Sequence, residues 1–539
     1  MALKVLNQPN QNGGLNVRTH PSLIRDSQLS NAYNNKFAIL GEVSHRMGYE
    51  KVFNEISAVN PSLGLGRYKK QSTGVEYLVI KVNGQFRYVT PLSTSWSILA
   101  SGYSTTISDF GDHTVSLGKM YIANEIDPLL EFDGSTLTPL TSFPRGRFCC
   151  VYKGRIFIAG VPANPSRVYW SNLEANTFSS GNYQDLQLDD GFDITGLKIS
   201  EGKIRAYKGK GGSFSVNYTD AGVPFFTRDD TFEGALRHQT IASIEGPSIY
   251  LASRSVRRMG QKPNYPTSQK DDDISDPISP VFKNINTAVV GNVACGAYFD
   301  GEYYLAVPVG SSTVNNTLLV YTEKQRTQDY PYGAWSIWTN IYANALVEWN
   351  GYLHFCDSRK GQLYRFNPAI KTDDGTAIES VLTTKAQSCG KPNIKKRFHN
   401  VNVRCFIEAG GVLNVSYSKD FGSFSGPIAV TPSSSGGSPG DPLGVISGEP
   451  YTAEPYGDSS MAYGFSTAVY AGAGGASDIP IFCQFKFQID DADATYLSLR
   501  FQFATPNKSW KLIDYDIEYE ELPPGNWEPL NCSLDFPPT

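Results

Sequence analysis

The chain has 539 residues, among them 50 Gly, 31 Tyr and 29 Phe, and only 18 % of its residues are charged. Long amphipathic helices would need more Glu, Lys, Ala and Leu, so this composition favours an all-β protein of many turns and short aromatic strands. The net charge of −5 gives no bulk basic signal for wrapping nucleic acid, although a mildly acidic protein can still surround DNA and let it slide past.

The N-terminus and the cysteines indicate where the chain is made. The first residues, from Met1 to Val5, lack the apolar core of a signal peptide, and no 18-residue apolar run predicts a transmembrane helix. The eight cysteines form no C-x-x-C pair, and most lie in apolar runs such as those around Cys405 and Cys483. We expect free, buried thiols in a protein made in a reducing cytosol, with a disulfide left open.

Residues 1–60 show little periodicity, and we expect an extended N-terminal arm. Asn, Gln and Gly dominate the first fifteen positions. One strand is predicted in the arm, from Phe37 to Val43, just before the segment Arg46–Tyr49.

Residues 61–375 contain a recurring hairpin, seen most clearly from Phe148 to Gly160. Apolar residues lead to the turn Lys153-Gly154, and a second apolar strand follows. Equivalent turn glycines are predicted at positions 84, 118, 154, 202, 246, 301 and 351. Their separations of 34 to 55 residues bracket the roughly 40–50 residues of a four-stranded propeller blade. The pattern predicts a β-propeller of six or seven blades, interrupted by one long polar loop between Arg254 and Pro280.

Residues 376–522 have a different texture, and we expect an antiparallel β-sandwich there. Six strands are predicted, at 378–384, 401–407, 412–417, 481–489, 497–503 and 510–519. A Ser-, Gly- and Ala-rich flexible insertion is predicted at 431–480, and residues 523–539 form a Pro-rich tail.

No motif in the sequence specifies catalysis, a cofactor or a metal. The six histidines are scattered and form no H-E-x-x-H, and Lys208–Gly212 lacks the order of a phosphate loop and predicts a turn. Asp189-Asp190, Asp229-Asp230 and Asp271–Asp273 are carboxylate candidates by residue type, but adjacent turn aspartates are mostly solvated or capping groups. The last group with Asp276 departs from the spacing of a calcium loop. The strand tryptophans, Trp96, Trp170, Trp335 and Trp338, are expected in the core rather than at a stacking surface. We therefore assign no catalytic, cofactor-binding or metal-binding residue.

Two stretches resemble a known family. The first runs through Gly13–Arg18, Pro21, the segment 27–32 and Arg46–Tyr49. The second is Arg147–Ser171, which contains K-G-R-I-F-I-A-G and N-P-S-R-V-Y-W-S. Together they resemble the β-propeller tail hub or nozzle proteins of short-tailed bacteriophages, the tail tubular protein B-like family. The resemblance covers 13–50 and 147–171, extends more weakly to about 367, and its motifs are structural, so no catalytic residue is carried over.

The resemblance implies a non-enzymatic virion protein of the phage tail, synthesised in the host cytoplasm. Such a subunit forms a ring with itself, commonly a hexamer, below the portal and adaptor. The ring encloses the DNA exit channel, conducts or gates genomic DNA during ejection without sequence-specific binding, and can anchor fibres or spikes. Two alternatives stay open: a propeller carbohydrate-active tail enzyme (a depolymerase) and a host-glycan-binding module.

Overall fold

The computed structural model describes residues 2–9, 11–37, 41–105, 112–116, 118–231, 233–244, 246–262, 265–325, 332–432, 445–446, 480–489 and 493–523. The predicted insertion 431–480 and the Pro-rich tail 523–539 therefore lie almost entirely outside the described residues. So does the middle of the strand predicted at 37–43.

The N-terminal arm is richer in structure than predicted. It holds five strands, β1 (Lys4–Gln8), β2 (Leu29–Tyr33), β3 (Asn35–Lys36), β4 (Val43–His45) and β5 (Gly48–Ser57). The expectation of one strand in residues 1–60 was wrong. Each of these strands pairs with a strand from a distant part of the chain or with a neighbour that does, and such long-range pairing leaves no clear periodicity in the arm itself.

The described residues form seven four-stranded antiparallel blades. In chain order they are blade 1 with β6 (Ser62–Lys69), β7 (Glu76–Val82), β8 (Gln85–Val89) and β9 (Ser97–Ala100); blade 2 with β10 (Asp112–Ser116), β11 (Lys119–Ala123), β12 (Leu129–Phe132) and β13 (Leu137–Leu140); blade 3 with β14 (Phe148–Tyr152), β15 (Arg155–Ala159), β16 (Arg167–Trp170) and β17 (Tyr183–Asp185); blade 4 with β18 (Gly196–Ser200), β19 (Lys203–Tyr207), β20 (Ser213–Tyr218) and β21 (Pro224–Arg228); blade 5 with β22 (Ala242–Ser243), β23 (Ser248–Leu251), β24 (Val256–Lys262) and β25 (Tyr265–Asp273); blade 6 with β26 (Cys295–Phe299), β27 (Glu302–Val307), β28 (Thr317–Thr322) and β29 (Ala334–Thr339); and blade 7 with β30 (Ala343–Trp349), β31 (Tyr352–Asp357), β32 (Gly361–Asn367) and the arm strand β5.

The blades close into a β-propeller, which confirms the predicted fold class and gives seven as the blade count. First strands of neighbouring blades lie beside one another around the ring, and β30 of blade 7 packs against β6 of blade 1. Apolar side chains fill the spaces between blades: Phe157 and Trp170 of blade 3 share one cluster with Leu197 and Phe214 of blade 4. Each such buried side chain contributes about 1.5–3 kcal/mol, so the blade-to-blade spaces form a large part of the core.

Short helical segments lie between blades and in some of the turns within them. Two one-turn α-helices, α1 (Ser279–Phe282) and α2 (Val290–Val293), precede blade 6, and 3-10 turns occur at Leu188–Asp190, Gly209–Gly211, His238–Thr240, Asp276–Ile278 and Glu323–Gln325. The turn at Gly209–Gly211 confirms the turn predicted for Lys208–Gly212.

Six of the seven predicted turn glycines lie between the first and second strand of a blade, as the repeat requires. Both central residues have positive φ in the turns at Gly154, Gly202, Gly301 and Gly351, as with Lys153 at 46° and Gly154 at 72°, a conformation that glycine adopts without strain. Gly84 is the exception, because it joins the second and third strands of blade 1. The equivalent first turn of that blade contains Gly74, so the shortest predicted interval was a misplaced glycine.

The long loop predicted between Arg254 and Pro280 was also wrong. Most of it forms the hairpin β24–β25, the two outer strands of blade 5. The hairpin can hold polar residues because they pair with one another: the Arg257 and Asp271 side chains are 15 % and 3 % exposed and form an ion pair at 2.7 Å. Prolines near the hairpin end made this segment look like a loop.

The C-terminal strands form the predicted β-sandwich. They are β33 (Thr372–Asp373), β34 (Thr376–Ala377), β35 (Ser380–Thr384), β36 (Lys396–Glu408), β37 (Leu413–Lys419), β38 (Ile428–Val430), β39 (Val445–Ile446), β40 (Pro480–Gln488), β41 (Leu497–Phe503) and β42 (Trp510–Glu521). One layer runs β3-β4-β42-β36-β40-β39 with β1 on β42, and the other runs β2-β35-β41-β37-β38. The short β33–β34 hairpin extends the sheet of blade 7 instead. Alternate residues of β36, β41 and β42 meet in a common core.

The propeller and the sandwich share a sheet. Strand β2 pairs in parallel with β29 of blade 6 and antiparallel with β35 of the sandwich, so blade 6 continues into one sandwich layer as a nine-stranded sheet. Trp338 and Ser336 of β29 both donate hydrogen bonds to the carbonyl of Asn35, at 2.9 and 2.7 Å. The arm therefore connects the two parts through backbone pairing.

Candidate functional site: the arm junction and an axial pocket

The segment Arg46–Tyr49 forms the junction between blade 7 and the rest of the chain. The Arg46 guanidinium is 1 % exposed and donates to both carboxylate oxygens of Asp373, at 2.8 and 2.5 Å. It also donates to Asn34 and lies 5.5 Å from the ring centroid of Trp338. Burial raises the pKa of Asp373 although Arg46 lowers it, which is the signature of an ion pair taken out of water.

Two neighbours of Arg46 complete the junction. Gly48 begins β5 where a Cβ atom would overlap the carbonyl oxygen of Thr372. Tyr49 packs edge-on against Phe355 and Tyr364, with ring centroids 5.1 and 5.0 Å apart. The R-M-G-Y segment thus combines a buried cation, a residue without a side chain and an aromatic anchor, and together they seat the closing strand.

The G-G-L-N-V-R segment seats the front of the arm on blade 6. Gly14 has φ of 76° and lies against the backbone of Trp335, where a side chain would not fit. The Leu15 N–H donates to the Trp335 carbonyl at 2.9 Å, and Arg18 forms an ion pair with Asp276. The arm packs on its own chain here.

The second resembling stretch builds blade 3. Arg167 donates to both oxygens of Asp185 on the neighbouring strand, at 2.6 and 2.8 Å. Trp170 is buried, and the Ser171 hydroxyl accepts a hydrogen bond from the Ile156 N–H at 2.9 Å. All of these contacts hold the blade together, so both motifs have structural roles.

The carboxylate candidates lie in separate places and are engaged in structural bonds. Asp190 accepts from the buried Lys208 ammonium at 2.8 Å, and Asp229 accepts from the hydroxyls of two serines of β20. Asp271 pairs with Arg257 at 2.7 Å, and Asp273 accepts from Ser275. These bonds hold blades 4 and 5 in shape, and nothing in them favours a hydrolytic pair.

The histidines and cysteines do not converge. His45 and His354 are buried, and burial lowers the pKa of each imidazole to about 4. The seven cysteines in the described residues are buried and form no disulfide, as expected, while Cys532 lies outside them. Cys405 and Cys483 face each other across β36 and β40. The hydrogen bond between their side chains, together with burial, raises the pKa of Cys405 well above its ordinary value. Within the described ranges, no three His, Cys, Asp or Glu side chains are placed to hold a metal ion.

The tryptophans are core residues, with one difference from the prediction. Trp170, Trp335 and Trp338 are buried in strands, but Trp96 precedes β9 and packs half-buried on Phe53, 5.5 Å between ring centroids. No Trp in the part of the chain that the structure describes is fully exposed.

A pocket of about 500 Å³ opens at the axial end of the propeller. It is lined by the segments that precede the first strands of blades 3, 4 and 5, by Phe148 at the start of β14, by the turn between β15 and β16, by Glu125 after β11 and by Gly291 of α2. First strands lie nearest the axis, so these segments converge on one mouth. The polar lining residues are Glu125, Arg147, Asp193, Thr195, Arg237, His238 and Gln239.

Two arginines give this pocket its character. Arg237 is 3 % exposed, and its Nε donates to the Gln239 side chain at 2.9 Å. Burial, helped by the nearby charge of Arg147, lowers the pKa of Arg237 to about 9. Arg147 is half-buried, and its Nε and Nη2 are shielded from solvent without a hydrogen-bond partner in the described residues.

His238 forms one wall beside these arginines. Its ring stacks on Phe148 with centroids 4.9 Å apart and 22° between planes. The Leu197 N–H donates to Nδ1 at 3.2 Å, so the neutral ring carries its hydrogen on Nε2. In the sequence, Arg147 begins the second resembling stretch and His238 is one of six scattered histidines. Their equivalent positions, just before a first strand, are the one signal that could have brought them together.

Comparisons with known proteins add little beyond the fold. No family model and no curated protein matches the chain. Among solved structures, it is similar to YCF48 bound to D1 peptide, with 12 % identity over 59 % of this chain and 96 % of that one, and a TM-score of 0.36. YCF48 from Cyanidioschyzon merolae is 11 % identical over 60 % of this chain and 99 % of that one, with a TM-score of 0.37. BamB from Moraxella catarrhalis is 9 % identical over 60 % of this chain and 96 % of that one, with a TM-score of 0.35. At these identities and TM-scores the likenesses carry no argument about what this chain does.

Proposed function

We propose that this protein is a tail nozzle or hub subunit of a short-tailed bacteriophage, which assembles into a ring around the DNA exit channel. The observation that carries the proposal is the resemblance of two stretches, the arm 13–50 and the blade 147–171, to that family. Both stretches serve architecture in this chain: the arm supplies the start of β5 and the Arg46–Asp373 junction, and the second stretch supplies the first three strands of blade 3.

The rest of the molecule is compatible with that role. A closed propeller joined to a sandwich by a continuous sheet is a stiff building block for a ring. A net charge of −5 suits a wall along which DNA slides without sticking. No helix in the described residues has the length and apolar character needed to cross a membrane. The partners in this proposal are further copies of the chain, commonly six, the portal–adaptor complex, and fibres or spikes.

Native mass spectrometry of the purified chain, alone and with a portal–adaptor complex, tests the proposal. We expect a closed homo-oligomer, six copies in the simplest case. Electron microscopy of virions labelled with a gold-conjugated antibody against the chain is the second test, and we expect the label at the tail axis. A protein that stays monomeric in both samples, or that is labelled away from the tail axis, would contradict it.

One assay separates the enzymatic alternative. The purified chain is incubated with host surface polysaccharide, and released reducing ends are measured. The proposed nozzle role predicts no release. Release that a single Asp→Asn substitution in the described carboxylates abolishes would instead establish a depolymerase.

A further inference from the structure

We propose that the axial pocket binds one oxyanion, a carboxylate or a phosphate, carried by a small molecule, with Arg147 and Arg237 as its cationic ligands. The inference concerns a site that the nozzle proposal does not use, and it stands or falls independently of ring formation.

The hydrogen-bonding state of Arg147 supports an anion site. A guanidinium offers five N–H donors in a planar fork, and burying such donors without acceptors costs free energy. Nε and Nη2 of Arg147 are both withdrawn from solvent and have no acceptor among the described residues. These two atoms lie on one edge of the fork, the edge that receives a carboxylate or phosphate in a bidentate contact.

The charge of Arg237 beside that of Arg147 also favours a bound anion. Its guanidinium is 3 % exposed beside a second guanidinium, and the proximity of the two groups contributes to the lowered pKa of Arg237. Placing like charges together in a partly buried site is unfavourable. An anion between them would offset the repulsion and raise the pKa of Arg237 back towards its ordinary value.

The shape of the pocket and the charges of its other lining residues favour a compact anion. A volume of about 500 Å³ is typical of small-ligand sites, and Phe148, Val161 and Ile194 supply apolar walls for the rest of such a ligand. Exposed Asp193 and half-buried Glu125 line the same pocket and repel a long polyanion. A compact anion with an apolar body therefore fits better than a DNA backbone.

Isothermal titration calorimetry on the purified full-length chain tests this inference. The probes are inorganic phosphate and benzoate at constant ionic strength, and they distinguish a phosphate site from a carboxylate site. We expect one of them to bind the wild-type protein and Arg147→Met to weaken that binding at least tenfold. Arg145→Met is the matched control, because Arg145 is exposed, donates to the Ile126 carbonyl at 2.9 Å and does not line the pocket.

A second variant keeps the test decisive if Arg147→Met is poorly folded. Arg147→Lys retains the charge but lacks the fork, and we expect it to weaken binding severalfold while its circular dichroism matches the wild type. The inference is overturned if neither probe binds the wild-type chain, or if both arginine variants bind as tightly as the Arg145→Met control. Binding of a DNA duplex that depends on Arg147, with no response to the small anions, would also overturn it.

Discussion

Blade 3 and blade 7 reach the same four-stranded architecture by different routes. Blade 3 is one contiguous stretch, from Phe148 to Asp185, whereas blade 7 takes three strands from residues 343–367 and its fourth from Gly48–Ser57. Both use a bidentate arginine–aspartate pair. The Arg167–Asp185 side chains are 22 % and 24 % exposed, while those of Arg46 and Asp373 are 1 % and 9 % exposed.

The difference shows where the stability of the closed ring is concentrated. A local blade forms through short-range hairpins and needs little from charged pairs. A blade assembled from two ends of the chain has to overcome a large loop-closure entropy, so its joining contacts are buried and interlocked. The two blades should therefore respond very differently to equivalent substitutions.

Arg46→Met should produce the largest effect. Removing one partner of a buried ion pair leaves Asp373 without its cation, and such losses typically cost about 3–5 kcal/mol. Urea denaturation followed by tryptophan fluorescence measures the change. The double variant Arg46→Met/Asp373→Leu should recover part of the loss because no buried charge remains. A cost below 1 kcal/mol for Arg46→Met would contradict a joining role for this pair.

Acid should weaken the closing region before blade 3. His45 precedes the arm junction and His354 lies in β31 of blade 7. Burial lowers the pKa of each imidazole to about 4. The charges of Arg46 and Lys371 also lower the pKa of His45, and the charge of Arg365 also lowers that of His354. The unfolded chain binds these protons near pH 6.5 and the folded chain does not, so their stabilising contribution is complete above pH 6.5. It is lost progressively from pH 6.5 to about 4, by up to about 3 kcal/mol for each group.

Denaturation midpoints measured from pH 7 to pH 4 check this expectation. The double variant His45→Gln/His354→Gln should flatten the pH dependence, whatever its stability at neutral pH. Exposed His20 provides the control, since His20→Gln should leave the slope unchanged. An unaltered slope in the double variant would show that other groups control acid unfolding.

Gly48→Ala should have an intermediate effect. The added methyl group overlaps the Thr372 carbonyl, so the closing strand has to shift, and overpacking of this kind costs about 1–3 kcal/mol. Gly181→Ala in blade 3 is the matched control, because a Cβ atom there meets nothing within 4 Å. Thermal melts of both variants check the comparison, and equal melting temperatures would be inconsistent with it.

Arg167→Met should have the smallest effect. Arg167 also contacts its aspartate with two donors, Nε and Nη2, but the pair remains partly in water, where an ion pair contributes about 0–1 kcal/mol. A urea titration under the conditions used for Arg46→Met allows the losses in free energy of unfolding of the two variants to be compared directly. A loss of 3 kcal/mol or more would remove the distinction between the two blades.

The same distinction explains what could be predicted from the sequence. The strand β41, Leu497–Phe503, matches its predicted bounds because alternating residues face a core, and most turn glycines were placed because type I′ turns favour glycine. The pairing of β5 with β32 was missed, since its partner lies at the far end of the propeller. The polar hairpin β24–β25 was taken for a loop because its stabilising pairs, such as Arg257–Asp271, appear only after folding. Arg147 and Arg237 precede the first strands of blades 3 and 5, so they meet only when blades 3, 4 and 5 pack side by side.

Hydrogen–deuterium exchange of the Arg46→Met variant tests the closing role of the arm most directly. We predict that amides of Gly48–Ser57 and Gly361–Asn367 lose protection together, while those of Phe148–Trp170 in blade 3 exchange as in the wild type. Protection that is unchanged at β5 and β32, or lost equally in blade 3, would contradict it.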